Sequence, residues 1–286
     1  MSSTQKREIL PKQHQNHQPG FEYKMNPLPA PVNKTYMGNH RLKGKVAIIT
    51  GGDSGIGRSV SIHFAKEGAD VVIVYYNEDQ DANETKQWVE EEGVHCSLFR
   101  GDISQSAFCG DIVDKTLQEH GKIDIIVNNA AVQFPQQDFV NITDEQLENT
   151  FRVNIFSYFY LTRAALPHLS QGSSIINTSS ITAFKGSQNL IDYSSTKGAI
   201  TTFTKSLSTS LASKGIRVNS VAPGPIWTPL IPASFDENAV ATFGSDSEMQ
   251  RPGQPYEVAP AYVYLASDEA SFITGQTIHI NGGEII

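Results

Sequence analysis

The order of apolar segments in this chain predicts an α/β fold: one doubly wound, parallel, seven-stranded sheet preceded by an irregular N-terminal arm. Three observations carry that prediction. From residue 45 to the C-terminus, short runs rich in β-branched residues alternate with helical stretches. Those runs are apolar throughout instead of alternating with polar residues, as strands covered on both faces are. The first run also ends in a group of glycines that opens a helix, the arrangement of a βα turn.

Each element follows from its own pattern. Residues 45–50 (KVAIIT) read as the first strand and 55–67 as the helix after it. Residues 70–75 (DVVIVY) form the second strand, and the charged stretch 78–92 suits a helix. Strands follow at 94–99, 123–127, 174–178, 217–222 and 276–280, with helices at 104–120, 143–169, 191–214 and 256–267 between them. One unbroken alternation over 45–286 favours a single domain over two, with right-handed crossovers.

The 286 residues include 39% hydrophobic and 18% charged side chains. No apolar run approaches the roughly 18 residues of a membrane helix, and the polar start lacks a signal-peptide core. A membrane or secreted protein is not expected; a cytoplasmic one is. Cys96 and Cys109 suit a reducing compartment and give no zinc-ligand spacing. The net charge of −8 argues against a nucleic-acid partner. That charge is unevenly placed. Residues 1–44 hold seven Lys/Arg against two acids, whereas 45–286 hold 15 against 28. The basic arm carries five of the 14 prolines and shows no helix or strand period. Its composition suits a solvated tail, but Phe21, Tyr23, Met25, Leu28 and Tyr36 are anchors that a solvated tail does not need.

Thr50-Gly51-Gly52-Asp53-Ser54-Gly55-Ile56-Gly57 joins the first strand to the first helix. Glycines there allow a tight turn and close backbone approach to a pyrophosphate. The free amides and positive end of the helix favour phosphate. The spacing differs from G-x-G-x-x-G, and no Gly-Lys-Ser/Thr follows, which disfavours an ATP or GTP loop. Alone, the three glycines also fit a plain βα connection, and Asp53 a turn cap.

Further along come Gly101-Asp102-Ile103, Asn128-Asn129-Ala130-Ala131, Asn154, Ser180, Tyr193-Ser194-Ser195-Thr196-Lys197, Pro223-Gly224, Thr274-Gly275-Gln276 and Asn281-Gly282-Gly283. Together and in this order, over residues 44–286, they make the chain resemble the short-chain dehydrogenase/reductases. The extension and the Gly-Gly-Asp-Ser-Gly-Ile-Gly variant are similar to a subgroup of bacterial general-stress proteins and plant glucose/ribitol-dehydrogenase-like proteins. Ala131 departs from the glycine common in the family, and the arm lies outside the family pattern. The resemblance implies a Rossmann fold that binds NAD or NADP, usually in a homotetramer built on the helices near 143–169 and 191–214 and the last strand.

Tyr193 and Lys197, four apart on a helix, share a face. A free tyrosine titrates near pH 10. A neighbouring ammonium favours the phenolate, so Tyr193 is expected as proton donor and acceptor with a lowered pKa. The resemblance implies that Lys197 also binds the nicotinamide ribose, that Ser180 hydrogen-bonds the substrate oxygen, and that Asn154 supports a proton-relay water. Alone, a Tyr/Lys pair reads as a solvated helix face; the ordered context reverses that. Ser180 lacks a Gly-x-Ser-x-Gly elbow, which disfavours a hydrolase.

The expected cofactor contacts are Gly51, Asp53, Ser54, Gly55, Ile56 and Gly57 at the turn, and Tyr75, Tyr76 and Asn77 after the second strand. Asp102, Ile103, Asn128 and Ala130 follow, then Tyr193, Lys197, Pro223, Gly224, Ile226 and Thr228. No base follows Tyr75, and Glu78 and Asp79 would repel a 2′-phosphate, so NAD is favoured over NADP. Residues 225–254 read as a substrate loop with Ile226, Trp227, Leu230, Ile231, Phe235 and Phe243 as a partly apolar lid. Small aldehydes, ketones, sugars and polyols all fit. The expected function is hydride transfer between a nicotinamide and a carbonyl, alcohol, aldehyde or polyol; the alternative is a non-catalytic dinucleotide-binding sensor or scaffold. The arm is expected to lie over a neighbouring subunit, drawn by its charge.

Overall fold

The computed structural model describes residues 7–286. Seven parallel strands form one sheet in the order β3-β2-β1-β4-β5-β6-β7. The first half is β1 (Val46–Thr50), α1 (Gly55–Lys66), β2 (Asp70–Tyr75), α2 (Asp79–Glu90), β3 (Cys96–Arg100), α3 (Ser106–His120) and β4 (Ile125–Asn128). After α4 (Asp144–Phe151) and α5 (Ser157–Ala165) come β5 (Ser174–Thr178), α6 (Thr182–Lys185) and α7 (Ile191–Leu211). The chain then continues through β6 (Arg217–Pro223), α8 (Leu230–Ser234), α9 (Glu237–Ala241), α10 (Pro255–Ala266) and β7 (Thr277–Ile280).

Alternate residues of each strand feed opposite faces. Ala47 and Ile49 of β1 pack with Val60 and Phe64 of α1 and Val263 of α10. Ile48 points the other way, to Ile112 of α3 and Leu161 of α5. Each such apolar side chain taken fully out of water contributes roughly 1.5–3 kcal/mol. The sequence of strand pairing reverses between β1 and β4, and this reversal opens a crevice at the carboxyl ends of the strands.

Two elements differ from the sequence expectation. The stretch 143–169 is interrupted by a π turn at Arg152–Phe156 and ends in a 3-10 turn, Leu166–His168, where Pro167 has no amide to donate. The substrate loop is partly ordered into α8 and α9, with Asp236 capping α9 through the amides of Asn238 and Ala239. No helix among the described residues is long and apolar enough to cross a membrane. Cys96 and Cys109 are buried, free thiols, and burial pushes both pKa values up to about 12.

The arm packs along its own chain instead of standing off it. Glu67, buried at the end of α1, holds its C-terminal part. The carboxylate accepts from Tyr36 Oη, from the amides of Asn39 and Arg41, and from the Arg41 guanidinium at 2.6 Å. Burial alone would raise the Glu67 pKa, but these hydrogen bonds outweigh it and hold the group at about 2, below its usual 4.5. A depressed folded-state pKa contributes stability that is present above the unfolded value and lost on acidification. The Glu67 contribution therefore disappears between pH 4.5 and about 2. Glu67→Ala is expected to lower unfolding stability by about 2 kcal/mol at neutral pH, because it takes the acceptor from two amides and the Tyr36 hydroxyl. Urea unfolding measures this; a loss under 0.5 kcal/mol would remove Glu67 as the anchor.

Candidate active site

The crevice at the β1/β4 reversal is a cleft of about 1290 Å³, above the roughly 300–1,000 Å³ of drug-sized ligand pockets and so roomy enough for a dinucleotide and a small substrate. Its floor begins at the glycine turn. Gly51 has φ +62° and Gly55 φ +53°, conformations that disfavour any side chain. At Gly57 the limit is contact: a Cβ would sit 1.8 Å from the Gly51 carbonyl oxygen. The turn is locked to the end of β4. The Thr50 hydroxyl accepts from the amides of Asn129 and Ala130, and Asn129 Nδ2 donates to the carbonyls of Thr50 and Gly51.

The expected catalytic groups come from β5 and α7. Ser180 follows β5, and its Oγ accepts from the Thr182 amide at 3.1 Å. Tyr193 and Lys197 share one face of α7 and both line the cleft with Ser180. Lys197 is fully buried; its Nζ donates to the Thr178 carbonyl at 2.9 Å and lies 5.3 Å from the centre of the Tyr193 ring. Asp192, in the first turn of α7, sets the helix against α4. It accepts from Gln146 Nε2 and Thr150 Oγ1 through one oxygen and from the Tyr193 amide through the other.

The electrostatics differ from expectation. Burial raises Tyr193 to about 12, opposed by a hydrogen bond with Ser180, and desolvation lowers Lys197 to about 7. The ammonium does not bring the tyrosine down, because Lys197 bonds the Thr178 carbonyl above the ring and is itself stripped of water. At neutral pH Tyr193 keeps its proton.

Most of the predicted contacts line the cleft: Gly51, Asp53, Ser54, Gly55, Ile56, Tyr75, Tyr76, Asp102, Ile103 and Ala130, then Pro223, Gly224, Ile226 and Thr228. Four expected site residues are placed elsewhere. Asn128 is buried under the floor, its carboxamide donating to Asn177 and Thr162. Asn77 is exposed on the surface, and Gly57 packs against Gly51. Asn154 lies in the π turn, where its carboxamide bonds both the amide and the carbonyl of Val132 and also Thr196. Ser179 turns to Lys197 O and Thr201 and away from a catalytic position.

Sequence reasoning missed Gln18, Pro19 and Gly20 of the arm, which line the cleft, and Lys185 and Glu284, an ion pair that also lines it. An acid immediately before the tyrosine, at a helix start, was the one readable signal for Asp192; the arm residues had none. Among the described lining residues the cations are Lys185 and Lys197. Near the ends of β1 and β2, Asp53 and Glu78 are buried carboxylates on the cleft wall. Burial raises Asp53 to about 7, with the charge of Glu78 adding to it; burial raises Glu78 as well. Glu78 Oε1 is buried with no hydrogen-bond partner among the described residues. An unpaired buried acceptor of this kind suits a hydroxyl donor, such as an adenosine ribose, and the cleft-lining glycine turn adjoins it at the head of α1, where Glu22 takes the Gly55 amide, so the residues present fit a nicotinamide dinucleotide.

Comparison with known proteins agrees with this geometry. A family model described as enoyl-(acyl carrier protein) reductase matches residues 51–284. An uncharacterized oxidoreductase of Bacillus subtilis is 64% identical over 99% of both chains. The glucose and ribitol dehydrogenase of Daucus carota is 50% identical over 97% of both. The chloroplastic NADPH-dependent aldehyde reductase 1 of Arabidopsis thaliana is 50% identical over 96% of this chain and 98% of its own. Among solved structures, a 3-ketoacyl-(acyl-carrier-protein) reductase of Brucella melitensis complexed with NADH superposes with a TM-score of 0.78 at 32% identity. It covers 86% of this chain and all of its own.

The tight contact at Gly57 leads to a direct test. Gly57→Ala pushes a methyl into the Gly51 carbonyl and must open the turn. Its nicotinamide-cofactor affinity, read by NADH fluorescence, is expected to fall at least about tenfold, the equivalent of 1.4 kcal/mol. Unchanged affinity would show that the turn does not carry the cofactor.

Proposed function

This chain belongs to the short-chain dehydrogenase/reductase family and is an oxidoreductase that moves hydride between a nicotinamide cofactor and a carbonyl or alcohol; within that activity, we propose that Tyr193 is its proton donor and acceptor. The observation that supports this assignment is the shared position of Tyr193, Ser180 and Lys197 on the cleft wall. The bound nicotinamide supplies or accepts the hydride. The protein manages the oxygen and the proton. Ser180 Oγ–H donates to the substrate oxygen and orients it beside the Tyr193 hydroxyl. In reduction, Tyr193 Oη–H gives its proton to that oxygen as negative charge develops there. The Lys197 ammonium then faces a phenolate across a dry interior, where charge stabilisation is strong. Asn154 acts as a positioning residue by clamping Val132 from both sides. Asp192 does the same for the start of α7.

The buried carboxyl groups of Asp53 and Glu78 on the cleft wall support a preference for NAD, since an acid there can accept from ribose hydroxyls and offers no cation to a 2′-phosphate. One plant relative is NADPH-dependent by name, so the ratio of kcat/KM for the two cofactors decides the point; equal values would sink the preference. Beside apolar Leu230, Ile231, Phe235 and Phe243, the cleft lining includes Asn149, Ser187, Asp236 and Asn238. Those polar groups support a small hydroxylated aldehyde or polyol as substrate, in line with the name of the carrot relative. Phe156 and Phe159 are exposed at 40% and 50% on the π turn and α5, which supports a homotetramer in which these faces are covered; the free, buried Cys96 and Cys109 support a reducing compartment such as the cytoplasm.

Tyr193→Phe is expected to lower kcat by about 10²–10⁴ while cofactor affinity stays within twofold. Retained turnover in a 340 nm screen with aldehydes and polyols would remove Tyr193 from this role. Reductive kcat/KM of the parent is expected to fall as pH rises through about 7, where Lys197 loses its charge. A flat profile from pH 6 to 9 would contradict that assignment.

A further inference from the structure

The arm crosses three walls of the cleft within a short stretch of chain. Its first contacts are with the outer side of the substrate loop. The amides of Ile9 and Leu10 donate to the Ala241 carbonyl at 2.8 and 3.1 Å, and the Gln15 amide to the Pro232 carbonyl at 2.8 Å. His14 Nδ1 lies 2.8 Å from the Phe235 carbonyl oxygen, and Trp227 Nε1 donates to the Pro27 carbonyl. Leu10 and Met25 complete an apolar cluster with Trp227, Ile231 and Val240.

The second crossing is at the cleft itself. Gln18 pairs through its carboxamide with both the amide and the carbonyl of Gln133, in the loop after β4. Gly20 passes so close to the loop that a Cβ would sit 2.5 Å from the Pro229 carbonyl oxygen and 3.0 Å from Ala233 Cβ. The third crossing reaches the glycine turn. Glu22 Oε2 accepts from the Gly55 amide at 2.6 Å, and Glu22 Oε1 pairs with Arg58 at 2.9 Å. Asp81 accepts from the amides of Glu22 and Tyr23.

We propose that residues 9–27 are a strap that holds the substrate loop closed over the cleft, with Gly20 as the positioning residue where strap and loop cross. This rests on reading residues 225–254 as the substrate loop of the proposed activity. The physical reason lies in the loop itself. α8 and α9 have five residues each, too few to stand as isolated helices. Their order has to come from packing, and the arm supplies the outer half of it. A loop already ordered lowers the entropy lost when the cleft fills, and a larger closed fraction raises apparent affinity in proportion. Glu22 ties the same strap to the amide at the head of α1, so the loop and the phosphate-facing turn are held in one register.

The test is amide hydrogen exchange of the full-length chain without cofactor, followed by NADH titration. Leu10→Ala removes an apolar contact to the loop from a half-buried arm position. Gly20→Ala forces the strap and the loop apart. Both are expected to speed exchange over 228–243 at least about tenfold, with β1 and β2 unchanged, and to weaken NADH binding several-fold. In steady-state assays of Leu10→Ala, cofactor KM rises while kcat stays within about twofold. If Gly20→Ala does not fold, Leu10→Ala decides alone. Exchange over 228–243 within twofold of the parent in a folded variant overturns the strap. Because exchange is read without cofactor or turnover, that result is distinct from a failure of the hydride-transfer reading.

Discussion

The rest of the structure depends on one constraint: the reversal of strand order between β1 and β4. Parallel strands on either side of that point send their connections to opposite faces of the sheet, and neither set of connections fills the gap between them. The gap is held to shape by the lock between Thr50 and Asn129, which satisfies two backbone amides and two carbonyls across the crevice. A slip of one residue in β1 would turn Ile48 and Ile49 to the wrong faces and break this lock. The dense packing of both layers therefore defends the geometry of a turn that contributes little to the core itself.

The second theme is burial of ionisable groups. Tyr193 and Lys197 are taken out of water together, and each is displaced toward its neutral form. Asp53 and Glu78 on the same cleft are displaced the same way. A folded protein tolerates such displacements where the groups have a use. The arm follows the opposite logic. Glu67 is buried but gathers enough donors to remain charged well below its normal pKa. Burial with enough hydrogen bonds makes an anchor; burial with too few to offset the loss of water makes a group ready to change its protonation.

Much of the site was legible from sequence because its parts are local. Tyr193 and Lys197 are one helical turn apart, and the glycine turn is a single connection. The order of the apolar runs announced the sheet. Other parts were not legible. Nothing in the 143–169 pattern marks a π turn at Asn154, and the carboxamide of Asn154 bonds Val132, 22 positions away, a partner that no local period announces. The lowered tyrosine pKa inferred from spacing did not hold, since spacing gives proximity but not which atom the ammonium bonds.

The arm marks the boundary most clearly. Its length, prolines and positive charge were visible at once, as were its apolar anchors. Sequence by itself determined the fold class, the glycine turn and the Tyr–Lys pair, because each is written in periods of two to four residues. Only the tertiary structure decided that Glu22 meets Gly55 and that Gly20 passes Pro229. Those contacts join residues 33 and more than 200 positions apart, and they are selected by close packing and paired hydrogen bonds, which leave no local period to read.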